Sequence, residues 1–221
     1  VSSGSFAGRV EVLSIPPMEG RAIVEGPQQR GPASPPPEYR KGIGKEGVAA
    51  IKRFFAGGGT VLCFGPSADW LADTLDLPVS DTLRGVKREE FRCPGALLAL
   101  EVDNSAPLGW GMPAQVAAMI EGETAFATRP AVGEQSRVVA ARFPDAPLVL
   151  SGWMRGEEKL HRRVAVVEVR RGKGRAVLFS FAPYFRGQTE ATLPLLYNAA
   201  MEEMMEAPPE AAKDSKAPAK P

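Results

Sequence analysis

The chain is poor in histidine and in cysteine. A single imidazole, His161, stands among 221 residues, beside two cysteines, Cys63 and Cys93. Catalytic zinc sites usually draw on two or three histidines or a Cys/His set, so a self-contained zinc hydrolase is excluded. His161 lies in the charged segment GEEKLHRR and reads as a solvated turn residue. Cys63 falls within an apolar run and reads as a buried small side chain. Whether the two cysteines meet in a disulfide is left open by the sequence. An excess of one charge is also missing, since 27 Lys and Arg face 26 Asp and Glu. No global field draws nucleic acid or an anionic membrane, and no nucleic-acid partner is expected. No stretch approaches the ~20 apolar residues of a transmembrane segment. The start, VSSGSFAGRV, has neither an initiating methionine nor the apolar region of a signal peptide. The sequence is therefore expected to be processed, excised or incomplete.

What is present suffices for one generous domain, because 44% hydrophobic residues supply a core. Arg9 to Ile15 alternates as a first strand, ended by Pro16-Pro17. Gly20 to Gly26 is a short helix or turn. Pro27 to Arg40 holds five prolines and reads as an irregular loop. From Gly44 the period turns helical, with Val48, Ile51 and Phe55 on one face and Gly57-Gly58-Gly59 as terminator. Thr60 to Phe64 is the next strand, and Gly65-Pro66-Ser67 leads into a helix over Ala68 to Leu75, with Ser67 as N-cap. This alternation predicts a parallel α/β sheet in the first 80 residues.

The middle of the chain reads differently. Leu97 to Val102, Gln115 to Ile120, Arg137 to Phe143, Leu148 to Met154 and Leu160 to Arg170 are strand-like with little helix between them. That pattern predicts a mixed sheet with an antiparallel extension. The basic run Arg170 to Arg175 reads as an exposed hairpin. Arg175 to Phe181 is a buried strand, Pro183 stops its ladder, and Leu193, Leu196, Tyr197, Ala200 and Met204 recur at helical spacing. Residues 1–8 form a lead-in, 9–206 the domain, and the Pro/Ala/Lys tail of 207–221 is expected to be disordered.

Two places can carry chemistry. A strand-to-helix turn can lift a nucleophile above a sheet, and the candidates at the turn after Phe64 are Cys63 and Ser67. Cys63 comes early and points into the core, and Ser67 explains itself as a cap. The only imidazole available as a base is His161, and Asp69 is a poor base for an alkanol. The second place is the loop after the last strand, where Arg186 could clamp an anion and Gln188 could cap the helix. Ligands of open α/β sheets bind at the carboxyl ends of strands. Ser67, Asp69, Arg186 and Gln188 are thus the candidate ligand-binding residues, with no catalytic and no metal-ligating residue assigned. The glycine clusters do not precede a phosphate-binding Lys-Ser/Thr, and the adjacent glutamate pairs do not face one another.

An ordered set of segments resembles one known module: IVEG (Ile23 to Gly26), PPPEYRKGIGKEGVAAIKRF (Pro35 to Phe54), GGT (Gly58 to Thr60), REEFRCPG (Arg88 to Gly95), GWGMP (Gly109 to Pro113), LSGW (Leu150 to Trp153) and GKGRAVLFSFAPYFRGQT (Gly172 to Thr189). It is similar to the glutamine amidotransferase-like domain C-terminal to the peptidase domain of large bacterial zinc metallocarboxypeptidases, over roughly residues 9 to 205. The resemblance implies a three-layer, flavodoxin-like α/β fold related to class I glutamine amidotransferases, without their Cys-His-Glu triad. It implies no cofactor in this chain, with zinc only in an upstream peptidase domain, and a periplasmic or secreted location. VEVLSIPP (Val10 to Pro17) looks like the third strand of such a module, which implies missing inner strands and exposed apolar edges. The partner would be the upstream peptidase domain, another protein segment or a second copy. The expected function is a non-catalytic accessory domain. The alternatives are a small hydrolase or amidotransferase using Ser67 or Cys63, and a small-molecule-binding module whose pocket lies between the loops after Phe64 and Phe181.

Overall fold

Strands and helices alternate at the start of the chain, and strands dominate its middle. A computed structural model describes residues 10–27 and 35–202, so the lead-in, half of the proline loop, the end of the expected domain with Met204, and the tail lie outside the described residues. The first half contains β1 (Val12–Ile15), α1 (Gly20–Glu25), α2 (Gly44–Ala56), β2 (Thr60–Phe64), α3 (Pro66–Thr74), β3 (Val79–Asp81) and β4 (Ala96–Val102). Then come β5 (Gln115–Ile120), β6 (Phe126–Thr128), β7 (Gln135–Arg142) and β8 (Val149–Gly152). The chain closes with β9 (Val164–Arg171), β10 (Gly174–Phe179) and α4 (Leu193–Met201).

The main path of the sheet runs β1-β2-β10-β9-β7-β4-β5. β1, β2 and β10 are parallel, with Ile15 level with Cys63 and Phe179 level with Phe64. From β9 onward every pairing is antiparallel. The fold is thus a flavodoxin-like α/β three-layer sheet with an antiparallel extension. Alternation along each strand sends side chains to two cores. Val61, Cys63, Ala176 and Leu178 pack with Ile51 and Phe55 of α2 and Leu71 of α3. Leu62, Phe64, Val177 and Phe179 pack on the opposite face with Leu195 and Ala199 of α4 and with the extension.

Several sequence expectations need revision. The short strands β3 and β6 have no counterpart among the sequence expectations, because three residues carry no period. α3 begins at Pro66 with Gly65 as its cap, so Ser67 lies inside the first turn and does not cap the helix. The hairpin around Lys173 is present, but Arg175 is not exposed; it is 2% accessible. Its guanidinium donates to the Ala199 carbonyl at 2.6 Å and to Glu168 at 2.9 Å, and it also pairs with Glu202. Arg170 bridges the same two carboxylates at 2.6 and 2.7 Å. Burial pushes the Glu168 carboxyl up, but Arg175 and Arg170 outweigh it and hold it below the usual carboxylate range. For Glu202, burial and the neighbouring Glu168 win, and its carboxyl is raised. A buried guanidinium needs such partners, and here they clamp the end of α4 to the sheet.

Candidate functional site

The parallel strands β1, β2 and β10 end side by side, and the turns at their carboxyl ends build the rim of the candidate site. Pro16-Pro17 comes after β1, Gly65 after β2, and Ser180 after β10. The Gly65 amide donates to the Phe179 carbonyl at 2.8 Å, which locks the turn of β2 to the end of β10. Gly65 has φ 54° and ψ −129°, a backbone conformation that L-residues rarely adopt. A side chain added there would meet only Pro17 Cβ, at 3.9 Å. This is the sharp strand-to-helix turn on which a nucleophile can be raised above a sheet. The residue at its apex has no side chain, and the next one, Pro66, has no N–H.

The neighbouring candidates are turned away. Cys63 is fully buried between β2 and the helices, and burial pushes its thiol far above the ordinary range, against a smaller lowering by Ser67. Ser67 is also fully buried. Its Oγ accepts from the Phe64 amide at 3.0 Å and lies 2.9 and 3.1 Å from the Phe64 and Ile15 carbonyls, to which it can donate. The hydroxyl therefore ties the ends of β1 and β2 to α3. Both cysteines are free, one in each core. His161 stands in the turn before β9, its Nδ1 3.7 Å from Asp145, and its Nε2 is buried without a hydrogen-bond partner among the described residues.

Asp69 projects from the first turn of α3 into a cleft of about 740 Å³. Arg84 grips it with two bonds, 3.0 Å to Oδ2 and 2.6 Å to Oδ1, and reaches Asp73 at 2.8 Å. Asp81, on the same wall, accepts from the amides of Leu83 and Ala125 at 2.9 and 3.0 Å. Burial raises the Asp81 carboxyl, with Asp69 adding to the rise and the two amides and Arg84 opposing it. Trp70, Arg88 and Arg92 also face this cleft. The partners of Asp69 come from a loop 15 residues on and had no periodic or motif signal in the sequence.

Arg186 and Gln188 occupy the exposed loop after β10. Arg186 has φ 50° and ψ 16°, and its guanidinium stacks over Phe185 at 5.1 Å. Gln188 does not cap α4. That end is held by Thr192, whose hydroxyl donates to the Pro183 carbonyl at 2.7 Å. Among the described residues, no hydrogen bond or ion pair joins Arg186 or Gln188 to Ser67 or Asp69, and the cleft at Asp69 is lined by neither. Nor do three or more His, Cys, Asp or Glu side chains gather there to hold a metal ion. No described helix is long and apolar enough to cross a membrane.

No protein-family model matches the chain, and no curated protein matches it. Solved structures do. A cytoplasmic protein from Salmonella typhimurium overlays 88% of this chain and 72% of its own at TM-score 0.51 and 13% identity, a likeness of fold. A Thermoplasma acidophilum protein assigned to GMP synthase overlays 70% of this chain and 63% of its own, at TM-score 0.42 and 12% identity. A β-galactosidase from Bacillus circulans overlays 88% of this chain at TM-score 0.47 and 12% identity, and the chain spans only 22% of that protein's length.

Proposed function

We propose that this chain is a non-catalytic accessory domain of a zinc carboxypeptidase-like protein, built on an amidotransferase-like α/β sheet. The observation that carries the non-catalytic half is the turn after β2. An elbow catalyst needs a nucleophilic side chain at the apex and an oxyanion donor in the next backbone N–H. Gly65 and Pro66 lack both groups. Cys63 and Ser67, the nucleophilic side chains nearest in sequence, are buried, and the Ser67 hydroxyl is committed to backbone. The accessory half is supported by the ordered set of segments from Ile23 to Thr189 and by β1, which pairs only with β2 among the described residues and leaves one edge of the sheet for a partner.

The test has two arms. Wild-type protein, Cys63→Ala, Ser67→Ala and the double variant are assayed on p-nitrophenyl acetate and on glutamine, and all are expected to match buffer. Turnover that disappears with either substitution overturns the non-catalytic reading. The native protein is then analysed by intact mass and N-terminal sequencing. An upstream histidine-bearing domain in the same polypeptide is the expected result, and a native start near Val1 overturns the accessory role. A small-molecule-binding module is the second reading, favoured by the cleft beside Asp69.

A further inference from the structure

Two arginines are held directly opposite each other by their backbones. Arg92 and Arg155 form an isolated antiparallel bridge, the Arg92 amide donating to the Arg155 carbonyl at 3.1 Å and the Arg155 amide returning the bond at 2.9 Å. Residues paired in this way send their side chains to the same face. Like charges placed directly opposite repel and destabilise the pair. Neither guanidinium has a carboxylate partner among the described residues, although Lys159, Arg162 and Arg84 nearby in the chain all do. The bridge is rigidly placed, because the turn at Gly156 (φ 77°) lies so close to the Glu90 carbonyl that a Cβ would come within 2.2 Å of it.

Beside Arg155 lies an exposed aromatic ring. Arg155 stacks over the Trp153 ring at 5.9 Å, and Trp153 is 49% exposed. Leu150, three residues earlier in the chain, is 58% exposed. It is the extra residue of a bulge, since β4 pairs Leu97 with Ser151 and Leu98 with Val149. A bulge disrupts an edge for further strand pairing, so this surface offers side chains more than backbone. An exposed tryptophan with an arginine on its face is the residue combination that dominates binding at protein interfaces.

We propose that Trp153 and Leu150, flanked by Arg92 and Arg155, form a docking surface for a protein segment that carries apolar side chains between carboxylates. The apolar side chains would cover Trp153 and Leu150. The carboxylates would take fork-shaped bonds from the two guanidiniums and remove their mutual repulsion. This inference is independent of the carboxypeptidase reading, because it names the chemistry of the segment and not the protein that carries it.

The experiment uses a fluorescein-labelled peptide with a leucine pair flanked on both sides by glutamates, and a control with lysines in place of the glutamates. Anisotropy titrations on the full chain are expected to show saturable binding of the glutamate peptide, weakened by salt, and none of the control. Trp153→Ala, Arg92→Gln and Arg155→Gln should each weaken binding by about tenfold or more. Each variant is checked by circular dichroism, and these substitutions should leave the spectrum unchanged. Equal binding of both peptides, no binding at millimolar peptide, or unchanged affinity in the folded variants overturns the proposal. Self-association of the chain that is lost in Trp153→Ala, with no peptide binding, overturns it in favour of a contact between copies.

Discussion

The guanidinium of Arg175 meets the carboxylate of Glu202 where the last helix ends, while Glu168 holds the same guanidinium from the adjacent strand at 2.9 Å. Removing Arg175 leaves two largely buried carboxylates, Glu168 and Glu202, to share the half-exposed Arg170 alone. Arg175→Met is expected to lower the unfolding free energy by about 3–5 kcal/mol in urea titrations. A loss below about 1 kcal/mol would show that the cluster is solvated or replaceable.

Ser67→Ala removes a buried hydroxyl that joins three strand-end groups. A loss of about 1–3 kcal/mol is expected from the stranded Phe64 amide and Ile15 carbonyl. Chemical denaturation of the single variant measures it, and an unchanged midpoint would contradict the assigned role.

Gly65→Ala tests the turn itself. Space is open at the added methyl, so any cost comes from the backbone conformation alone. That cost is expected to be about 1–3 kcal/mol, read as a lowered melting temperature with unchanged secondary structure. A variant as stable as wild type would mean that the turn relaxes freely.

Asp81 gives a pH prediction with a definite sign. Its carboxyl is raised by burial, so the folded state takes up its proton before the unfolded state does. Ionised Asp81 therefore costs stability at neutral pH, and the cost fades as pH falls through the raised value towards the unfolded one of about 3.9. Asp81→Asn keeps an acceptor for the amides of Leu83 and Ala125. It should be more stable than wild type at pH 7, with the advantage shrinking on acidification. An advantage that grows at low pH would refute the assignment.

Local and periodic features were legible without coordinates. Ile51 and Phe55 mark the inward-facing stripe of α2, which continues through Gly47 and Ala50 and not through the expected Val48, and the apolar run from Thr60 marks a strand buried along its full length. The change from α/β alternation to a succession of strands marks where parallel pairing gives way to antiparallel. The site was only half legible. Position 65 lies between two residues that invited attention as nucleophiles, and nothing in composition separates a glycine that ends a strand from one that forms an elbow. The grip of Arg84 on Asp69 and the burial of Arg175 carry no signal in the sequence, since their partners lie 7 to 27 residues away with no fixed spacing.

By itself the sequence determined the elements that obey a period and the chemistry that one imidazole cannot support. Hydrophobic spacing and side-chain inventory are local properties and can be read from the chain. Tertiary structure alone decided which charges are buried together, which hydroxyl is spent on backbone, and that Gly65 stands at the apex of the turn. The hydroxyl and the turn depend on how the parallel strands β1, β2 and β10 align at their carboxyl ends, and the buried charges depend on the antiparallel pairing of β9 with β10 and on where α4 ends, all set by long-range contacts.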